Sequence, residues 1–215
     1  FEITDIPLIE YAASKGKPMI ISTGIADVSD IELAIETCKK AGNNDITILK
    51  CTSAYPALLE DANLKTIPDI IKRFGVKTGL SDHTLGTEAP AIAVALGATV
   101  IEKHFILDKS IGGADAHFSL DETEFKKMVD AIRLTEKIIG KVDYEMTEKK
   151  VKSRQFSRSL FVVKDVEAGD RITEENVRSI RPGFGMHPKY YNEILGKKFN
   201  TDIEKGTPLS KTFIN

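Results

Sequence analysis

Val76-Lys77-Thr78-Gly79-Leu80-Ser81-Asp82-His83-Thr84 and, one segment later, Val100-Ile101-Glu102-Lys103-His104-Phe105 are two short apolar runs that each close on polar residues and a histidine. Residues 85–99 between them have a helical pattern. Strand, helix, strand is the repeating unit of a parallel sheet, because a parallel neighbour is reached only through a crossover connection. Adjacent strands lie about 4.8 Å apart, so side chains at equivalent strand ends can converge on one ion. His83 and His104 therefore suggest a metal site. They read equally as polar strand-end residues bonded to their neighbours, and spacing alone leaves both readings open.

The same alternation extends to both sides of this stretch. Apolar runs at residues 18–22, 46–51, 76–81 and 99–105 predict four strands, all expected to be buried on both faces. Helical spacing of apolar residues fills the gaps. Ser29 with Glu32 forms an expected capping box ahead of Ile31, Ile35 and Cys38, and Asp121 with Glu124 forms another ahead of Phe125, Val129 and Ile132. Gly42 and Gly140 fit as helix stops. The class is α/β with a parallel sheet.

Composition narrows the range of partners. The 215 residues are 41% hydrophobic and 29% charged with a formal charge of −2, which fits a globular chain with one large domain and a small one. Signs are intermixed, so no basic face marks a nucleic-acid or anionic-membrane partner. No apolar run is long enough to span a bilayer. Cys38 and Cys51 have neither disulfide nor zinc-site spacing and suit a reducing compartment, the cytoplasm. Small molecules are the expected ligands. The chain begins at Phe1 rather than methionine, as a fragment would.

In α/β folds chemistry collects at the carboxyl ends of strands, and every strand here ends in polar groups. These ends are Ser22-Thr23-Gly24, Lys50-Cys51-Thr52-Ser53-Ala54-Tyr55-Pro56, Ser81-Asp82-His83-Thr84 and Glu102-Lys103-His104. Hydroxyls and backbone N–H groups at such ends suit a phosphate or carboxylate, although any single Ser or Thr also reads as a helix cap. The long loop at residues 108–121 carries Asp115 and His117 where they can fold over the strand ends. Past Gly140 the pattern changes to a basic connecting stretch and then to short β-like runs with turns. Within that module Arg181-Pro182-Gly183-Phe184-Gly185 presents one arginine on a stiff loop, suited to a bidentate grip on a carboxylate or carbonyl, or to a surface ion pair.

Taken together, Gly79 to Thr84, Ala95-Leu96-Gly97-Ala98, Glu102 to Phe105, the Tyr55-Pro56 loop, Arg158-Ser159-Leu160 and Arg181 to Gly185 resemble the sialic acid synthase family, and the resemblance covers nearly the whole chain. Members of that family condense phosphoenolpyruvate with an N-acetylated amino sugar. Ile106 to Ser110, Phe118 to Asp121 and His187 to Tyr190 are most similar to the members that take a 2,4-diacetamido-2,4,6-trideoxy hexose. Relatives acting on N-acetylmannosamine or on the legionaminate precursor, and a non-catalytic protein using the small module to bind a sugar or partner, are the alternatives.

The resemblance implies a TIM (β/α)8 barrel followed by an antifreeze-like, or SAF, domain. Residues 1–144 are then the C-terminal half of the barrel, 145–157 a linker and 158–215 the SAF domain. A whole barrel takes about 250 residues, and the four strand-helix units counted here agree with half of one. The family's catalytic glutamate and phosphate-binding lysines would lie on strands before Phe1, so this stretch alone is expected to be inactive. The resemblance makes His83 and His104 ligands of a divalent metal, Mn²⁺ first, with Mg²⁺ or Co²⁺ as alternatives. It makes Ser22, Ser53 and Ser81 phosphate-binding, Glu2, Tyr55 and Asp115 sugar-binding or catalytic, and Arg181 a sugar-binding residue lent across a domain-swapped homodimer. Lys50, Asp82, Glu102 and Lys103 are expected as partners that orient the histidines.

Overall fold

The computed structural model describes residues 1–215, which form two compact units, Phe1–Lys141 and Val142–Asn215. The first is built on β1 (Met19–Ser22), β2 (Ile46–Cys51), β3 (Lys77–Asp82) and β4 (Val100–Lys103). All neighbours are parallel and their order is β1-β2-β3-β4. A sheet whose spatial order follows the chain has no reversal point, so right-handed crossovers place every helix on one face. That is the winding of a barrel, not of a doubly wound sheet.

The helices are α1 (Ile6–Ala13), α2 (Val28–Lys40), α3 (Thr66–Phe74), α4 (Glu88–Ala95) and α5 (Glu122–Ile139). Side chains alternate across a strand, and one set packs under the helices. Ile21, Ile46 and Ile48 join Ile31, Ile35 and Cys38, while Leu80 and Ile101 meet Ala89 and Ala93. The other set, with Leu49, Cys51, Ser81 and Glu102, looks out from the opposite face.

Three sequence expectations need correction. The strands are not all buried on both faces: β2 is buried throughout, but β1 and β4 are partly exposed. Each has a neighbour on one side only, and Ile20 stands 54% exposed on the face away from the helices. The α2 capping box is Asp27 with Asp30, not Ser29 with Glu32, because the helix starts at Val28 and puts Asp27 at the N-cap. Ser29 instead donates its hydroxyl to Asp27. β3 runs one residue later than expected and β4 stops at Lys103, so His83 and His104 both lie just beyond their strands. The Asp121–Glu124 box on α5 is as expected.

The second unit opens with α6 (Glu148–Ser153), so the stretch read as a linker includes an exposed helix. β5 (Ser159–Val162) pairs antiparallel with β6 (Val177–Ile180). Isolated bridges such as Val166 with Ile203 and Phe199 with Ile214 hold the turns around them, and α7 (Tyr191–Ile194) closes the core. That core contains Leu160, Val162, Val177, Phe199 and Leu209. Gly185 is required here: a Cβ at that position would overlap the Leu160 carbonyl, where Met186 and Leu160 exchange backbone bonds with neighbouring segments. No helix in either unit is long and apolar enough to cross a membrane.

Candidate active site at the strand ends of the first unit

In the register of the sheet, Cys51, Ser81 and Glu102 are partners across β2, β3 and β4. They form one row on the face away from the helices, and His83 and His104 follow two residues further along their chains. The two rings converge, with centroids 5.2 Å apart and near edge-on. Tyr55, on the loop after β2, lies 4.3 Å from the His83 ring and 5.9 Å from that of His104. Phe118, from the loop after β4, packs against His104 at 4.9 Å. Asp115 of the same loop brings Oδ2 to 3.5 Å from His104 Nδ1.

The polar partners fix the orientation of His83. Its Nδ1 lies 2.9 Å from the Thr52 carbonyl oxygen, an acceptor only, so Nδ1 carries the proton and donates. In the neutral ring Nε2 is then left with a lone pair. Cys51 Sγ approaches the same nitrogen at 3.9 Å. This thiol interaction is the largest influence on His83 and, helped by the Thr52 carbonyl, raises its pKa against the opposing effect of burial. For Cys51, burial pushes the thiol up, but hydrogen bonding with His83, Ser81 and Ser53 outweighs it and the net shift is downward. Burial raises Tyr55, with the Cys51, Asp115 and Glu102 charges acting in the same direction.

The expected orienting partners act differently from the reading above. Side chains one residue before each histidine point to the helix face. There Lys103 Nζ bonds Asp82 Oδ2 at 2.6 Å, with the two side chains 1% and 2% exposed, and also donates to the Thr84 carbonyl. Asp82 Oδ1 accepts from Thr84 N. This cluster clamps the ends of β3 and β4 from behind. Lys50 likewise bonds the Cys51 carbonyl and the Thr52 hydroxyl, and burial lowers its pKa. Glu102 accepts from the Ser81 hydroxyl at 2.7 Å. The orienting group for His83 is the Thr52 carbonyl, for which no sequence signal exists because every residue has one.

The structure thus brings together His83, His104, Tyr55, Ser81 and Asp115. Ser53 joins them through Cys51, its hydroxyl packed so close to Gly24 that a Cβ there would lie 2.6 Å away. Ser22 and Glu2 line a separate cleft beside β1 with Ile20 and Leu8. His117 stacks edge-on against Phe118 and not against the imidazole pair. Arg181 lies in the second unit, in an open cleft with Lys149, Lys150, Arg154 and Phe156. Two imidazoles at this separation fit part of a cation's donor set, and no three His, Cys, Asp or Glu groups cluster in metal-holding geometry.

Among known proteins, residues 1–144 match the NeuB family. The chain belongs to that family. This NeuB-family chain also matches the SAF domain over residues 157–215. It is 50% identical over 212 residues to a pseudaminic acid synthase of Campylobacter jejuni, covering 99% of this chain and 62% of the relative. A pseudaminic acid synthase of Helicobacter pylori is 48% identical over 211 residues, covering 98% and 62%. The chain therefore spans 62% of the length of these relatives. Among solved structures, the spore coat polysaccharide biosynthesis protein SpsE of Bacillus subtilis superposes with a TM-score of 0.63 at 36% identity, over 100% of this chain and 66% of that one.

Proposed function

We propose that this chain supplies the metal and sugar side of a synthase that condenses phosphoenolpyruvate with a 2,4-diacetamido-2,4,6-trideoxy hexose, giving pseudaminic acid and phosphate. The observation carrying this reading is the convergence of His83, His104, Tyr55 and Asp115 beside the Ser81 hydroxyl, in a chain half identical to pseudaminic acid synthases. A new carbon–carbon bond forms between C3 of phosphoenolpyruvate and the sugar's carbonyl carbon. Water adds to C2, and phosphate leaves by C–O cleavage.

Each residue has a part in that reaction. Ser81 and Ser53, with Ser22 at the end of β1, offer hydroxyl donors to phosphate oxygens. Tyr55 and Asp115 hold sugar hydroxyls; Glu2, in the cleft beside β1, is assigned to the same sugar on the family resemblance alone. His83 and His104 would hold a divalent cation through neutral nitrogens, and imidazole with oxygen in open positions suits Mn²⁺ better than a closed zinc site. When bound, the cation would polarise the sugar's aldehyde oxygen and stabilise charge developing there. Arg181 grips the N-acetyl carbonyl in a partner protomer of a domain-swapped dimer. The reaction takes place in the cytoplasm, where the free thiols are at home.

The test is phosphate release from phosphoenolpyruvate in the presence of Mn²⁺, by this chain and by the chain extended to the length of its relatives. Release that requires the bis-acetamido sugar, and disappears in His83→Ala and His104→Ala, is the expected result. Preference for N-acetylmannosamine would move the substrate to sialic acid precursors. No release with any amino sugar would refute the assignment.

A further inference from the structure

Arg158-Ser159-Leu160 carries part of the family resemblance and has no role in the reaction above. Ser159 is 2% exposed at the start of β5, and its register partner on β6 is Ile180, the residue before Arg181. Its hydroxyl donates to the Pro182 carbonyl at 2.7 Å and accepts from Gly185 N at 2.8 Å. One side chain thus ties together both ends of the turn that follows Arg181. Between them, Gly183 N donates to the Gln155 carbonyl at 2.9 Å, and a Cβ at Gly183 would lie 2.5 Å from Ser157 Oγ. On the other side of Arg181, the Arg158 guanidinium donates to the Ser179 carbonyl. All of these partners lie within Val142–Asn215. The backbone is therefore held before and after Arg181, while Arg181 itself is exposed.

We propose that Ser159 is the positioning residue for Arg181: by bridging Pro182 and Gly185 it sets the direction in which the guanidinium leaves the end of β6, and with it the affinity for the sugar's N-acetyl carbonyl. This rests on the reading of Arg181 as the arginine that grips that carbonyl. A planar guanidinium fork bonds its acceptor in a restricted geometry, and ordering a long side chain and a loose turn together costs entropy on binding. A turn already fixed removes part of that cost. Pro182 and Gly185 are only half-buried, so water can take over both bonds when the hydroxyl is removed. The turn then loosens without loss of the core behind it.

The test has two arms. Hydrogen–deuterium exchange of this chain compares the wild type with Ser159→Ala and with Ser159→Cys, whose thiol keeps the shape but is a weak donor and acceptor. In both variants the peptide covering residues 181–186 is expected to exchange about tenfold faster, the scale of one net hydrogen bond lost, while peptides around Ile172 and Phe199 stay protected. Unchanged exchange at 181–186, or protection lost equally at Ile172 and Phe199 in Ser159→Cys, overturns the proposal. The second arm is steady-state kinetics of the chain extended to the length of its relatives, with the bis-acetamido sugar. Ser159→Ala is expected to raise the KM for the sugar about tenfold, to leave that for phosphoenolpyruvate unchanged, and to add nothing on an Arg181→Ala background, because residues acting through one contact are not additive. A loss that adds to that of Arg181→Ala, or that falls equally on phosphoenolpyruvate, marks a structural role and overturns the proposal. Should Arg181→Ala leave the sugar's KM unchanged, the reading of Arg181 fails and the inference falls with it. Should Arg181→Ala raise that KM while Ser159→Ala does not, only the positioning role fails.

Discussion

The two histidines depend on a pair of residues they never touch. Asp82 and Lys103 precede them in the chain and are buried on the helix face, where an apolar pair would pack at less desolvation cost. A one-residue slip between parallel strands would send each histidine to the wrong face, and a specific buried ion pair penalises that slip. Lys103→Met strands the Asp82 charge, and the expected cost is about 3–5 kcal/mol in urea unfolding of the first unit. Asp82→Asn combined with Lys103→Met removes both charges and should recover most of that loss. If the double variant is no more stable than the single one, the pair is not acting as a compensated charge pair. Both residues were visible in the sequence as polar positions at strand ends, and alternation along a strand places each on the face opposite its histidine. That alternation makes the pair a clamp behind the imidazoles, not their partners.

At the scale of the element, α5 shows how local chemistry sets a boundary that the site depends on. Asp121 accepts from Glu124 N at 2.8 Å, and Glu124 answers to Asp121 N at 3.1 Å. Lys109 reaches Glu124 from the loop that carries Asp115, so the cap also anchors that loop. Asp121→Ala should cost about 1 kcal/mol, seen in chemical denaturation. Acid acts on the same cap: hydrogen bonding from Lys109, then from the Asp121 N–H, holds Glu124 below its ordinary pKa. Its stabilising contribution is present above the unfolded value of about 4.3 and is lost as pH falls through the lower folded value. The expected outcome is a steeper loss of stability with falling pH in that range for the wild type than for Glu124→Gln; equal slopes would show that the bond contributes nothing. This box was readable in advance because both of its members lie within four residues. The α2 box was misplaced by two residues because Asp27, Ser29 and Asp30 are all favoured N-cap types and only Ser29 has a Glu three residues on, whereas the start of the helix at Val28 makes Asp27 the cap.

For the whole molecule, strand order was readable from the alternation of apolar runs and helical segments, since short crossovers leave few ways to connect parallel neighbours. The exposure of β1 and β4 was not, because an edge is defined by what is hydrogen-bonded beside a strand, and Ile20 has the same composition signal inside a sheet as at its rim. The division into units follows from packing: Ile48 is fully buried among the helices of the first, and Phe199 is 1% exposed in the core of the second. Two separate cores predict two unfolding transitions, since chains with more than one domain depart from two-state behaviour. Ile48→Ala should cost about 2–5 kcal/mol and Phe199→Ala about 3–5 kcal/mol, each within its own unit. Hydrogen–deuterium exchange in rising urea, followed peptide by peptide, assigns each transition to residues on one side of Lys141 or the other. Ile48→Ala should lower the midpoint only for peptides of the first unit, leaving Ser159–Val162 and Val177–Ile180 protected as before. If either substitution lowers both midpoints together, the two cores fold as one cooperative body, and the histidine site owes part of its stability to the module that carries Arg181.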